Sequence, residues 1–532
     1  MKKIYTLSFL LFVLYLTNSA FAQRMVLIEA SADPTSFTDI FPVIMGDTLD
    51  NGDRINENTI YQLQNGAVYI TSGRIVNKPN WPLHIEASDL TNTALKPVLT
   101  RIPNASGSYP DIMRPEGDLT LKNVWMIPGE KGPGEEHDWG KVRIMGDNAR
   151  VIVQDCIVEK DRGGFIQLRG NRTKVYLERT IFRNGGNRRI LQGNGRAVDA
   201  RDTSIDTLIV RDCIMHNLID RVFRSQGGSE PHTYIEFDQN TIFNIGGRHG
   251  CFQFGRAETV KVTNNFIMNP IMLGTSPAYT DEQTQPDNET HKVFTIDTLY
   301  TNTTFEFAAN NVFWTQDVID VWNSIDSVSA PGIYSDLISG ILGDTAESTF
   351  MQDPTALNSV PQNITQYVID LYNDPSSENM FDYVVEDASL AGTGFDSGNL
   401  FDFSTFDPCY SEDAMSATAA TDGGAIGMRF LCNYPAPVSV SNIAYDHTLN
   451  LKSSPNPAAD FTQLSFNLAE ASEVVLEIFD MNGRRVTTVA KGRLAAGEHT
   501  ANWNNLNDVP TGMYFANLLT GTGKMFIKVV VK

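Results

Sequence analysis

The chain is predicted to be all-β: a right-handed parallel β-helix, followed by a small C-terminal antiparallel β-sandwich. Three observations carry this prediction. One short pattern, two alternating apolar residues, a polar turn residue and a second apolar run, returns as VIVQDCIV at 151–158, VYLERTIF at 175–182, LIVRDCIM at 208–215, YIEFDQNTIF at 234–243 and VKVTNNFIM at 260–268. Inside each copy the apolar residues alternate by two and are rich in Val, Ile, Phe and Thr, which is the period of strands and not of helices. Beyond residue 450 alternating segments are broken by Asn-Gly, Ala-Gly and Thr-Gly turns, as in a small sandwich.

Further copies, LTLKNVWM at 119–126 and FEFAANNVFW at 305–314, extend the repeat. Aligning the turn residue gives the column Asn123, Asp155, Arg179, Asp212, Asn240, Asn265 and Asn311, with steps of 32, 24, 33, 28, 25 and 46 residues. The minimum unit of about two dozen residues holds three short strands and three turns, and the excess is loop. A parallel strand needs a crossover to its neighbour, so one coil of a β-helix fits that length. Asn and Asp suit the sharp turn because they bond nearby backbone and tolerate left-handed geometry; Arg179 breaks the column.

In chain order, Lys2 and Lys3 precede an apolar run from Leu7 to Leu16, and Ala20-Phe21-Ala22 offers a cleavage site, so residues 1–22 read as a secretory signal. Residues 23–57 are expected to cap the open end of the solenoid, whose irregular first coils run from Thr59 to Arg101 and whose body spans 58–435. Cys156 and Cys213 fall at equivalent places two coils apart, about 9.6 Å by strand spacing, which is beyond disulfide reach. Cys409 and Cys432 bracket a short segment and can pair in an oxidising compartment, leaving Cys251 as a buried thiol. A linker over 436–449 leads into the tail at 450–532, and the whole is expected to act as a monomer.

Charge is laid unevenly along the chain. A net charge of −22 argues against a nucleic-acid partner. Residues 141–260 nevertheless hold 16 Arg and 3 Lys against 14 acids, a net of +5, whereas 271–440 hold only Lys292 and Arg429 against 25 acids, a net of −23. Arginine forks bind carboxylate and sulfate bidentately, although arginines also ladder with Asp on neighbouring coils. Counting back 12 to 16 residues from each turn reaches a second strand, whose outward column reads Asp111, Arg143, Gln167, Asp199, Arg224 and Gln253. A second outward column includes Arg169, Arg201 and Gln226, and together they form a polar stripe shaped for a polymer.

The strand pattern and its turn asparagines resemble the pectate-lyase-like β-helix class over residues 58–430, and TDGGAIGM at 421–428 resembles the closing coil of bacterial β-helix proteins. The class implies an acidic polysaccharide lying along such a sheet, and often β-elimination, in which a base removes the C5 proton of a uronate whose carboxylate is neutralised by calcium or cationic side chains. Matching positions for the base are Arg224, Arg201 and Arg143, with Arg169, Gln167, Gln253 and Asp199 binding substrate and Asp199 as a possible calcium ligand. An unperturbed arginine is a poor base, so that role needs unusual surroundings. Arg248-His249-Gly250 resembles a triplet of the alginate-lyase and chondroitinase branch and makes His249 a further catalytic candidate. No His and Cys spacing of a metal site appears. Glycoside hydrolysis needs paired carboxylates, and Asp111 and Asp199 stand about 14 Å apart by strand spacing. The alternative to an enzyme is a surface adhesin or glycan-binding solenoid.

The tail carries a second resemblance. Pro455-Asn456-Pro457, Asp480 to Arg484, Gly497 with Trp503, Gly512 to Phe515 and Lys528 to Lys532 resemble, in order, the type A C-terminal sorting domain of the type IX secretion system. That resemblance implies a bacterium of the Bacteroidota, passage across the outer membrane with the secretion machinery as partner, removal of the domain, and release or anchoring on lipopolysaccharide.

Overall fold

Stacking of branched apolar side chains, one per coil, builds the sheets. The computed structural model describes residues 23–33, 36–56, 58–102, 111–127, 142–161, 163–186, 194–275, 291–325, 328–360, 368, 406–434, 449–469, 471–479, 485–504, 506, 509–520 and 523–532. Leu119, Val151, Val175, Leu208, Ile235 and Val260 lie in register on neighbouring parallel strands, all buried. The expected leader 1–22, most of the expected linker and the motif Asp480 to Arg484 lie outside the described residues.

Three parallel sheets result. The first has ten strands, from Arg24–Ile28 to Thr304–Ala308; the second has eleven, from Thr38–Asp39 to Phe350–Met351; the third has seven, from Val142–Ile144 to Gly332–Tyr334. Through the central coils the chain visits them in turn, and each visit adds the next strand of that sheet, which is a parallel β-helix-like solenoid. Arg24–Ile28 pairs with Thr59–Leu63, so the segment expected as a cap already opens the first sheet. It also forms the helix Ile40–Met45, whose first turn is capped by Asp39 accepting from the Phe41 N–H and whose Ile40 and Ile44 enter the core.

The turn between the first and second sheets is left-handed in every one of these coils, with positive φ at Asn123, Asp155, Arg179 and Asp212. Arg179 is held there by a bidentate bond to Asp155 of the coil before it, at 2.8 and 3.1 Å. In the next three coils the left-handed residues are Gln239, Asn264 and Ala309, not Asn240, Asn265 and Asn311 as the pattern suggested. Asn240, Asn265 and Asn310 sit one place further on, fully buried. Asn240 Nδ2 donates to Asn265 Oδ1 and Asn265 Nδ2 to Asn310 Oδ1, both at 2.9 Å. Their carboxamides also take the backbone N–H of the preceding coil, so burial is offset by full hydrogen bonding. Thr180 does the same for Cys156, and Cys156 and Cys213 share this stacked position as free buried thiols, as does Cys251 elsewhere in the core.

A second core lies on the outer face of the second sheet. Trp125, Ile157, Ile181, Ile214, Phe243, Phe266 and Phe313 point outward there, and residues 406–434 cover them as a strap. Asn311 Nδ2 donates to Ser416 Oγ, the Gly427 N–H to the Asn264 carbonyl and the Arg429 N–H to Asp212, so the strap runs back along the solenoid. Residues 421–428 therefore do not close the helix as a coil; they contain no strand and bind across the turns of earlier coils. Cys409 and Cys432 are joined by a disulfide. Their sequence separation of 23 makes the cross-link worth about 3 kcal/mol by loop entropy. Replacing both by Ser is expected to raise hydrogen exchange and binding of a hydrophobic dye over 406–434 while the three sheets stay protected. Unchanged exchange in the strap would count against this account.

The unit Val438–Lys532 is separate in its contacts. It holds a three-stranded and a four-stranded antiparallel sheet around Leu464, Phe466, Leu476, Ile478, Trp503 and Leu518. Asn456 clamps the last strand, donating to the Lys528 carbonyl at 2.8 Å and accepting from the Val530 N–H at 2.9 Å. The Trp503 and Tyr514 rings meet edge to face. Among the described residues no helix is long and apolar enough to cross a membrane.

Candidate functional site

The outer face of the third sheet is built by register. Arg143 pairs with Gln167, Gln167 with Asp199, Asp199 with Arg224 and Arg224 with Gln253, one per coil. Leu168 pairs with Ala200 and Arg201 with Gln226, which sets Arg169 beside Arg201 two places further on. Asp111 departs from the expected column. Met113 bridges Val142, so Arg114 and not Asp111 neighbours Arg143. Asp111 is instead buried, accepting from Arg114 Nε at 2.8 Å and ion-paired to Arg143 and Arg74 at 3.4 and 3.6 Å. A buried carboxylate requires such company, and a three-residue offset is invisible to strand counting.

A depression of about 330 Å³ opens on this face, lined by Arg143, Gln167, Arg169, Arg196, Asp199, Arg201 and Arg224, with Gly163 and Asn194 at its side. Five arginines and one carboxylate thus line it. Asp199 is 4% exposed and accepts from Arg169 Nη2 at 3.0 Å and Arg224 Nε at 2.5 Å. Burial pushes its carboxyl up, but Arg196, Arg224 and Arg169 together hold it below the usual carboxylate range. Arg224, 11% exposed, is brought down to about 10, by burial first and by Arg196 second. Arg143 is lowered mainly by burial and donates through Nε to Gln167 at 3.0 Å. Arg201 differs from the rest: it is 55% exposed and, among the described residues, its ion pair is with Asp202 at 3.9 Å.

A second polar layer lies beneath. Asp220 is 0% exposed and meets Arg196 Nε at 2.6 Å, His249 Nδ1 at 2.7 Å and Arg221 Nε at 3.3 Å. Burial pushes its carboxyl up, yet Arg221, His249 and Arg196 hold it well below the usual range. Arg221 donates on to Gln253 at 2.7 Å, and Gln253 to Asp297 at 3.1 Å. His249 and Gln253 therefore do not line the depression; His249 directly, and Gln253 by way of Arg221, join Asp220, which holds the lining residue Arg196. Sequence reasoning missed Arg196, Arg221 and Asp220. The signal was present, since Arg196 and Arg221 occupy equivalent strand starts in adjacent coils, followed two and three residues on by the columns already aligned.

A larger depression of about 580 Å³ lies by the disulfide, lined by Phe406, Tyr410, Phe430, Tyr434, Asp407 and Glu412 among others. Among the described residues its lining holds no Lys or Arg, and the Tyr410 hydroxyl is spent on the carbonyls of Ser416 and Ile426. Among the described residues no three His, Cys, Asp or Glu side chains are placed to share a metal ion.

Residues 454–532 match the family described as the secretion system C-terminal sorting domain. This tail is a type IX sorting domain, so the protein engages that secretion machinery and is exported for attachment at the cell surface. No curated protein and no solved structure matches the chain.

Proposed function

We propose that the solenoid is a surface-delivered binder of an anionic polysaccharide, which lies along the third sheet with its carboxylate or sulfate groups among the arginines. The observation that supports this reading is the set of five arginines lining one depression, one of them more than half exposed. More than half exposed and paired at 3.9 Å with the still more exposed Asp202, Arg201 is the first contact for an incoming anion. Arg143 offers a second, partly spent on Gln167.

Charge neutralisation is assigned to these arginines and not to calcium. A cation at Asp199 would sit among Arg169, Arg196 and Arg224, where the potential is positive. Chelation is expected to leave binding unchanged.

A lyase is the second reading, favoured by Arg224, whose descent to about 10 is the direction a base requires. Against it, the Nε proton of Arg224 is already committed to Asp199. Incubation with pectate, alginate and chondroitin, following the absorbance of new unsaturated uronates, separates lyase from binder. Arg201→Ala is expected to weaken polymer binding at least tenfold at unchanged stability. Arg224→Ala is expected to lower stability by about 1–3 kcal/mol, because Asp199 loses a partner in a buried place. Affinity electrophoresis and urea unfolding read the two effects, and unaltered affinity in Arg201→Ala would reject the site.

A further inference from the structure

We infer a second binding site, on the strap beside the Cys409–Cys432 disulfide, for a small organic cation: an ammonium group carried on a body of a few rings. It is separate from the arginine-lined trough of the third sheet and opposite to it in sign, so neither reading rests on the other.

The depression of about 580 Å³ by the disulfide falls in the size range of ligand pockets. Its frame is cross-tied before any ligand arrives. Asp407 and Ser359 exchange backbone hydrogen bonds at 2.7 and 2.9 Å, and the Asn358 N–H donates to the Cys409 carbonyl at 2.7 Å. The Tyr410 N–H donates to the Tyr434 hydroxyl at 3.0 Å, and the disulfide joins the two lining segments of the strap. A preformed cavity loses little conformational freedom on binding.

Phe406 and Tyr410 form the buried floor, stacked on His216 and Phe266, while half-buried Phe430, Leu431 and Tyr434 make the wall. The rim is acidic. Asp407 accepts from Asn358 Nδ2 at 2.9 Å and from the Cys409 N–H at 3.0 Å, both neutral donors; unlike Asp199 and Asp220, it is paired with no cation among the described residues. Glu412 is exposed and has no hydrogen bond or ion pair among the described residues. Residues 406–434 hold four acids, Asp407, Glu412, Asp413 and Asp422, against the single base Arg429, which is bound by Asp422. Two further cations lie in a smaller hollow that shares Thr93, Phe430 and Leu431 with this one. Arg179 is bound there to Asp155 and Glu178, and buried Lys96 to Asn123 and the Asp155 carbonyl.

An anion entering this depression meets two carboxylates that lack a counterion and is repelled. A neutral body gains contact with the wall but leaves both carboxylates as they were. A cation with apolar faces gains from both, because aromatic rings turn negative faces towards it and Asp407 and Glu412 supply opposite charge.

The test uses the full chain at about pH 6, where amines carry their protons. Calorimetry follows titration with the trimer of glucosamine, with the trimer of N-acetylglucosamine, which has the same rings without the charge, and with benzyltrimethylammonium. Saturable binding of at least one cation, one per chain, is expected, with the glucosamine trimer about tenfold tighter than its acetylated form. Glu412→Gln is expected to weaken cation binding about threefold, since an exposed carboxylate contributes little per pair, and to leave the unfolding midpoint unchanged. Arg201→Ala is expected to leave cation binding unaltered. Bound ligand is expected to slow hydrogen exchange over 406–412 and 430–434. Binding of neither cation, equal affinity for the charged and acetylated trimers, or unaltered affinity in Glu412→Gln would overturn the inference. Protection spread over the acidic surface outside the strap would overturn it too, as the mark of diffuse attraction.

Discussion

Asp220→Asn is expected to lower stability by about 3–5 kcal/mol, the range found when one member of a buried ion pair is removed. The substitution keeps the shape and removes the charge. Arg196 and Arg221, almost wholly buried, would then lose the carboxylate they share and keep only the more distant charge of Asp199. Because the carboxyl is held well below the ordinary value of 3.8, its contribution is complete above that value and is lost as pH falls through its folded-state pKa. Urea unfolding should therefore show the full gap between variant and wild type at neutral pH and a closing gap only in strong acid. Arg196 also loses the group that aims it into the trough, so binding of polyuronate should fall in the folded fraction. An Asp220→Asn protein with wild-type stability would remove Asp220 from the centre of this network.

His216→Phe is expected to stabilise the protein by a margin that grows as the medium is acidified. His216 is fully buried under the strap, with its ring stacked on Phe243 at 4.6 Å and Phe406 at 5.1 Å, and neither ring nitrogen has a hydrogen-bond partner among the described residues. Burial, and then Arg183, drive its pKa well below 6.5. Below pH 6.5 the unfolded chain takes up a proton that the folded chain refuses, so stability falls with pH. The phenylalanine variant lacks that cost. Its advantage should be about 1.3 kcal/mol greater at pH 5.5, and about 2.6 kcal/mol greater at pH 4.5, than at neutral pH. Any overpacking by the larger ring is the same at every pH and cancels from the difference. Parallel stability curves for the two proteins would show that His216 is accessible to protons in the folded state.

Strand periodicity was legible because side chains alternate strictly and each coil repeats the same inward place. Val151, Val175 and Leu208 hold the same place in the repeated pattern and are in register. The outward column survived for the same reason from Arg143 to Gln253. It failed at Asp111, where a loop of different length moved the chain by three residues. The turn column slipped by one at Gln239 because Asn240 looks like a turn residue, yet its carboxamide serves a buried ladder.

The amino-acid order alone determined the class of the fold, the export tail and the concentration of arginine in one stretch, since these depend on local period and composition. Only the tertiary structure decided which arginines are available and which are spent. That depends on carboxylates brought in from other coils: Asp199 locks Arg169 and Arg224, Asp220 locks Arg196, and Arg201 is left turned to solvent. Ion pairing acts through space over a few ångströms, and positions 24 to 30 residues apart in the chain become neighbours only when the coils stack.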